Sequence, residues 1–400
     1  MTTNRTGLNN GFRNTVLGVQ FLFVAFGATV LVPLLVNIDP AVALFTAGVG
    51  TLIFHLITKG KVPVFLGSSF AFIAPIIEAT RLYGLPGTLS GLIAVGFLYG
   101  LVSALVKARG LKFIESLFPP VVVGPVIMII GLSLASAAVD MAKSNWLIAV
   151  IALLTAIVVV IYTKGLIKLI PVFAGIVVGY IASIFLGEVD FTKITSAEWI
   201  TVPAFVAPKL SWNAILYMLP VAVAPIIEHV GDMYAIGNVA NKNFVEKPGL
   251  HRTLLGDGIA TAFAGFFGGP PNTTYSEVTG AITLTKVTNP LVLRISAITA
   301  ILFSFIGKIS GVLKSIPEAV LGGIMLLLFG MIASIGLKTL IDGKTDMNAT
   351  RNQVIVSVIL TVGIGGAIIS YGTFSLAGIG LASVIGIILN LILPKTKYEQ

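Results

Sequence analysis

Apolar runs of about 18 residues or more recur from one end of this 400-residue chain to the other, and each is long enough to cross ~30 Å of hydrocarbon. About fourteen can be read, two of them interrupted, starting near Thr15, Ala41, Val64, Gly87, Pro119, Trp146, Leu169, Ala214, Leu254, Asn272, Leu291, Pro317, Gln353 and Phe374. Inside lipid every backbone N–H and C=O must find a partner within the protein, so runs of this length fold as a bundle of helices. Composition agrees. Charged residues are 10% of the chain, against roughly 25% in soluble domains, too few to cover a soluble core of this size.

The net charge of +9 invites a nucleic-acid reading, but its distribution argues otherwise. With the N-terminus inside, 19 Lys and Arg fall in cytoplasmic ends and loops and 6 in outer loops. That asymmetry is the positive-inside rule, and it predicts an even number of spans with both termini in the cytoplasm of an inner or plasma membrane. No nucleic-acid partner is expected; the lipid bilayer is. The absence of cysteine excludes disulfides, thiolate metal sites and cysteine nucleophiles. The first apolar run is too long for a signal-peptide core and lacks a clear cleavage site, so it is expected to be retained. No Walker motif occurs, which excludes an ATP motor in this chain. The Asn-x-Thr matches at Asn272 and Asn348 are read as carrying no meaning.

The chain repeats itself at half its length. Shifting Pro119–Ser136 forward by 198 positions superimposes Pro119 on Pro317, Val122 on Val320, Gly124 on Gly322, Ala135 on Ala333 and Ser136 on Ser334. These are the fifth and twelfth runs. An odd offset places the two copies in opposite orientations across the bilayer, as an inverted repeat. The third and tenth runs hold equivalent places in the two halves, and both are poor helices. Leu66-Gly-Ser-Ser-Phe70 and Gly268-Gly-Pro-Pro-Asn-Thr-Thr-Tyr-Ser-Glu277 crowd Gly, Pro and hydroxyl residues where Leu and Val belong. They are predicted to be short extended pieces, pairing antiparallel and followed by half-helices whose N-termini aim polar backbone at a ligand.

Four carboxylates fall away from run ends: Glu228, Asp232, Asp257 and Glu277. A charge at the bilayer centre costs ~2.5–3.5 kcal/mol even on the lenient scale, so each needs a reason. Glu228 and Asp232 are four apart, on one helical face one turn from each other. Neighbouring, partly desolvated carboxylates resist ionising together, so one of the pair can hold a proton near neutral pH, as proton coupling requires. A buried hydrogen-bonded network is the structural alternative for both. Asp257, beside glycines near a run start, reads as a cap or loop tie, and His229, ~100° around the helix from Glu228, as a packed or hydrogen-bonded residue. His-Glu-x-x-His is missing, as is Gly-x-Gly-Asp at either aspartate, so intramembrane proteolysis is not expected. A channel remains an alternative, though midplane carboxylates on this many spans suit alternating access better.

At these residues the chain resembles the nucleobase–ascorbate transporter family, and within it the bacterial uracil permeases. The resemblance spans nearly the whole chain and is strongest at Phe26–Pro33, Leu66–Ile73, Glu228-His-Val-Gly231, Pro248–Arg252 and Pro271–Glu277, with the signature running from Glu277 through Gly280 and Thr285 to Lys286. It implies an all-α fold of fourteen segments in two inverted seven-segment repeats. The core would comprise residues 1–110 and 211–310, and the gate, which also carries the homodimer contact, residues 111–210 and 311–400. It implies that Glu228 and Glu277 hold the imide edge of a pyrimidine, that Phe70 stacks on its ring, and that backbone amides near Tyr275 and Ser276 bond its carbonyls. Asp232, with Glu228, would carry proton coupling, and no cofactor beyond the proton is implied. A flat, neutral, amphipathic base suits aromatic contact with a few directed hydrogen bonds. Three departures bear on the choice of base: Asp232 stands where uracil permeases usually have His, Val278 where the signature has Asn, and Ser276 where it has Gly. The expectation is uracil import by proton symport, with xanthine or another oxopurine as the alternative.

Overall fold

Helix starts are written locally into the chain. Asp39 caps the helix Pro40–Ile57 (α2) by accepting from Ala41 N–H, with Pro40 in the first turn. Asn145, Ser211 and Asn289 do the same for Trp146–Tyr162 (α6), Trp212–Met218 (α9) and Pro290–Ser304 (α13). The computed structural model describes residues 4–110, 118–165, 167–371 and 374–394, and the side chains at 4–10, 26, 28, 169, 276, 277, 371, 374 and 375 lie outside it. The other helices are Asn4–Leu35 (α1), Ile73–Arg109 (α3), Pro120–Leu132 (α4), Ala135–Ala142 (α5), Pro171–Phe185 (α7), Thr192–Thr195 (α8), Val223–Ala240 (α10), Leu250–Phe266 (α11), Ser276–Thr285 (α12), Gly307–Lys314 (α14), Glu318–Asp342 (α15), Thr350–Ile364 (α16) and Gly378–Ile392 (α17).

Every expected run coincides with an apolar helix or a strand followed by a helix. Among the described residues six helices are long and apolar enough to cross a membrane, and five further apolar helices have 10–17 residues. The helical parts of the third and fourth runs follow one another within α3 as two helices broken at Gly84, whose non-helical φ of +72° and ψ of 159° are open to glycine and strained for other residues. The two interrupted runs contain the strands Leu66–Ser68 (β1) and Asn272–Thr274 (β2), which pair antiparallel with Leu66 opposite Thr274 and Ser68 opposite Asn272. β1 belongs to the third unit of the first seven and β2 to the third unit of the second seven, so their antiparallel pairing is the inverted relation between the halves. Ile368–Tyr371 (β3) and Phe374–Ala377 (β4) form a separate hairpin before α17.

Packing divides the helices into two groups. In one, α11 lies against α3 and α2, α13 against α2 and α1, and α9 against α3; in the other, α15 lies against α4, α5 and α6, α6 against α7, and α16 against α17 and α4. The linkers between groups are tied together at one end of the bundle. Lys308 donates to the carbonyls of Ile194 and Thr195, and Lys314 pairs with Asp39 at 2.9 Å.

Candidate functional site

A two-stranded ribbon of three residues per strand leaves both outer edges bare, which in lipid is untenable. Neighbouring helices supply the missing partners. On the β1 side, Leu66 N–H donates to Thr51 Oγ1 at 2.9 Å, and His55 Nε2 lies 2.8 Å from the carbonyl of Val64. On the β2 side, Thr261 Oγ1 donates to the Asn272 carbonyl at 2.9 Å, and Thr274 N–H donates to Asp257 Oδ2 at 3.2 Å. The same Asp257 oxygen accepts from His229 Nδ1 at 2.9 Å, with both side chains fully buried.

The ribbon thus fixes the segments that follow its strands. Pro270 and Pro271 deny the tenth run a helical start, so Asn272–Thr274 stays extended and α12 begins only at Ser276. Tyr275, between them, crosses the ribbon and donates its hydroxyl to the Ser68 carbonyl at 2.8 Å. Gly67 makes room for that ring; a Cβ there would stand 2.5 Å from it. After β1, Ser69 N–H donates to the Pro271 carbonyl at 3.0 Å, and a 3-10 turn over Phe70–Phe72 lifts the Phe70 ring off the ribbon.

Phe70, Tyr275 and Glu228 come together on one cavity of about 60 Å³. Ser69, Thr273 and Thr274 line it from the ribbon, and Ala224 from α10. The opposite wall is wholly aliphatic: Ile127 and Ile130 from α4, Ile332 and Ile335 from α15. The cavity therefore lies between the two packing groups, with the polar and aromatic groups on one side. Chemically it offers a carboxylate, an aromatic face and extended backbone to a small flat molecule, and apolar contact on the far face.

Asp232 is buried one turn along α10 from Glu228, faces α12, and receives a long bond of 3.5 Å from Thr279 Oγ1. It does not line the cavity. The side chains of Ser276 and Glu277 lie outside the described residues; their backbone opens α12 directly after Tyr275. Of the two structural roles expected for Asp257, cap or loop tie, it takes the tie and not the cap. It sits inside α11, in the first part of a helix that begins at Leu250, and serves the strand edge and His229. His229 is hydrogen-bonded and fully buried, as its place on the helix suggested. The four isoleucines and the threonines Thr273 and Thr274 were not singled out in the sequence. The only signal for the isoleucines was the internal repeat, since α4 and α15 begin at its two copies. Among the described residues no cluster of three or more His, Cys, Asp or Glu can hold a metal.

The family model described as "Permease family", that of xanthine and uracil permeases, matches residues 12–371. The chain is 51% identical to a probable uracil permease of Pasteurella multocida, covering 97% of this chain and 95% of that one. It is 45% identical to the uracil permease of Bacillus caldolyticus (94% and 91% covered) and 41% identical to that of Escherichia coli K12 (94% and 90%). Among solved structures it is similar to the transmembrane domain of a cyanobacterium bicarbonate transporter, BicA, with a TM-score of 0.64, 15% identity and 98% of both chains covered. It is also similar to the murine anion transporter Slc26a9 in the inward-facing state, with a TM-score of 0.70, 12% identity, and 95% of this chain and 67% of that chain covered. At those identities the structural likeness concerns the fold.

Proposed function

The chain belongs to the xanthine–uracil permease family, a multi-pass membrane protein, and we propose that it imports uracil by proton symport through alternating access. The observation that carries this reading is the cavity where Phe70 and Tyr275, from the two broken segments, meet Glu228 opposite a wall of isoleucines. A pyrimidine stacked on Phe70 places its imide edge toward Glu228, and toward Glu277 on the resemblance, while extended backbone near Tyr275 and Ser276 serves its carbonyls. The aliphatic wall touches the base without bonding to it. No bond of the substrate is made or broken, and the protein acts as a carrier rather than an enzyme, with the proton as coupling ion and no other cofactor.

The two packing groups are read as a core, carrying all the polar site groups, and a gate, carrying the aliphatic wall and the contact of a homodimer. Lysine and arginine placement supports an orientation with both termini in the cytoplasm. Asp232, one turn from Glu228 and outside the cavity, is the proton-carrying partner. Uptake of labelled uracil into cells or vesicles, with unlabelled xanthine, hypoxanthine and thymine as competitors, tests the assignment. Saturable uptake blocked by uracil and not by xanthine supports it. Blockade by xanthine at lower concentration than uracil would reassign the substrate to an oxopurine, and non-saturable flux would indicate a channel.

A further inference from the structure

Lys61, Lys242 and Lys247 line one cavity of about 530 Å³ together with Gly60, Glu246 and Pro290. It lies where the turn after α2, the loop between α10 and α11 and the first residue of α13 meet. Among the described residues none of the three ammonium groups has an ion-pair partner, and Glu246 is the single carboxylate facing them on this wall. Behind Gly60 stands the half-buried guanidinium of Arg294. Among the described residues it makes only long bonds to neutral acceptors, 3.5 Å to the Gly60 carbonyl and 3.4 Å to His55 Nδ1. A Cβ on Gly60 would overlap it. Pro290 opens a 15-residue helix, whose N-terminus adds a partial positive charge to the same cavity. Three cationic side chains and a helix N-terminus line a space with one opposing charge, and the Arg294 guanidinium stands behind its Gly60 wall. Such a site asks for a phosphate.

What lies beside the cavity selects the source. α2 and α13 pack side by side and leave apolar side chains uncovered: Leu56 is 79% exposed in the last turn of α2, and Leu291, Ile298 and Leu302 are 46%, 49% and 62% exposed along α13. A cationic pocket set directly against an apolar face matches an amphiphile with a charged head. Basic pockets at the cytoplasmic end of membrane helices meet a leaflet rich in anionic lipid.

We propose that this pocket binds the phosphate of an anionic phospholipid, with its acyl chains along the uncovered faces of α2 and α13. The inference rests on the cytoplasmic placement of this end given above. The bound headgroup ties together three stretches of the group that carries the polar site, so its occupancy stabilises that group as a unit.

The test uses the full chain in nanodiscs of phosphatidylcholine alone, of phosphatidylcholine with phosphatidylglycerol, and of phosphatidylcholine with added inorganic phosphate. Thermal unfolding is followed in each, and lipid retained after detergent extraction is counted by native mass spectrometry. Wild type should show a higher Tm and retained phosphatidylglycerol in the anionic discs. K61Q/K242Q/K247Q should lose both effects while keeping its Tm in phosphatidylcholine. A variant of equal charge loss elsewhere, K164Q/K338Q/K344Q, should keep both. Equal loss in the two variants, or no effect in wild type, overturns the site. A shift produced by inorganic phosphate and not by phosphatidylglycerol overturns the lipid assignment in favour of a free phosphate. Uracil uptake in vesicles of phosphatidylcholine with phosphatidylglycerol is measured in parallel: its absence in wild type would sink the transport reading and leave the lipid result standing.

Discussion

His229 Nδ1 lies 2.9 Å from Asp257 Oδ2, both side chains are fully buried, and the oxygen also accepts the Thr274 amide at 3.2 Å. One carboxylate thus joins α10, α11 and β2. Because His229 follows Glu228 in sequence, the pair also sets the rotation of the helix turn that presents Glu228 to the cavity.

Breaking that pair from one side leaves an uncompensated polar group in the bundle. Asp257→Ala should destabilise the protein by about 1–3 kcal/mol, the cost of leaving a buried polar group unsatisfied, and uracil uptake should fall with it. His229→Ala should cost less in the double variant than alone, with a coupling of roughly 0.5–3 kcal/mol. Unfolding of the four proteins in detergent measures the cycle. Strict additivity would mean that the two side chains act separately.

The cavity-facing acid can be tested directly. Glu228→Gln keeps shape and removes charge, and should weaken uracil binding ten- to a hundredfold, since a charge-assisted hydrogen bond contributes about 1.5–3 kcal/mol. Glu277→Gln should do the same, with membrane insertion intact in both. Binding by calorimetry on purified protein gives the answer, and wild-type affinity in both variants would move the site elsewhere.

Phe70 should act through its ring face. Phe70→Ala is expected to weaken binding by ~1–3 kcal/mol, the range for base–aromatic stacking, while Phe70→Tyr and Phe70→Trp retain most of it. Uniform loss in all three would instead point to Phe70 as a packing residue of the turn after β1.

Asp232 is expected to separate transport from coupling. Asp232→Asn imitates the protonated acid, so substrate should still exchange in counterflow assays. Accumulation driven by an imposed pH gradient should vanish, because the ~1.4 kcal/mol that one proton carries per pH unit is no longer collected. Liposomes with purified protein compare the two activities. Wild-type pH-driven accumulation would shift the coupling role to Glu228, Glu277 or His229.

The broken segments were legible because their cause is local. Two adjacent prolines at 270 and 271, directly after glycines at 268 and 269, remove consecutive backbone donors and disfavour a helix through that stretch. Asp257 was legible as a structural tie but not as a mid-helix residue, for an instructive reason. Gly256 and Gly258 look like loop punctuation, yet both lie in a regular helix and serve close approach. A Cβ on Gly256 would stand 2.6 Å from the Phe54 ring, and one on Gly258 2.5 Å from Tyr99 Cβ. Close packing between distant segments leaves the same residue in the sequence as a turn does, and only the fold tells them apart. The wall of Ile127, Ile130, Ile332 and Ile335 was hidden for the opposite reason: isoleucine is ordinary in any membrane helix, and nothing in those side chains announces that they border a site.

That aliphatic wall has a mechanical meaning. Every hydrogen-bonding group lining the cavity comes from α10 and from the ribbon and the residues just after its strands, which pack on α2 and α11, and the opposing surface offers only methyl and methylene. Should one group travel past the other with a base aboard, no directed bond has to be broken and remade along the way. Contacts of that kind are short-ranged and nearly equal from one position to the next, so the energy along the path stays level. The isoleucines behave as a bearing, and a single hydroxyl or amide placed among them would act as a catch.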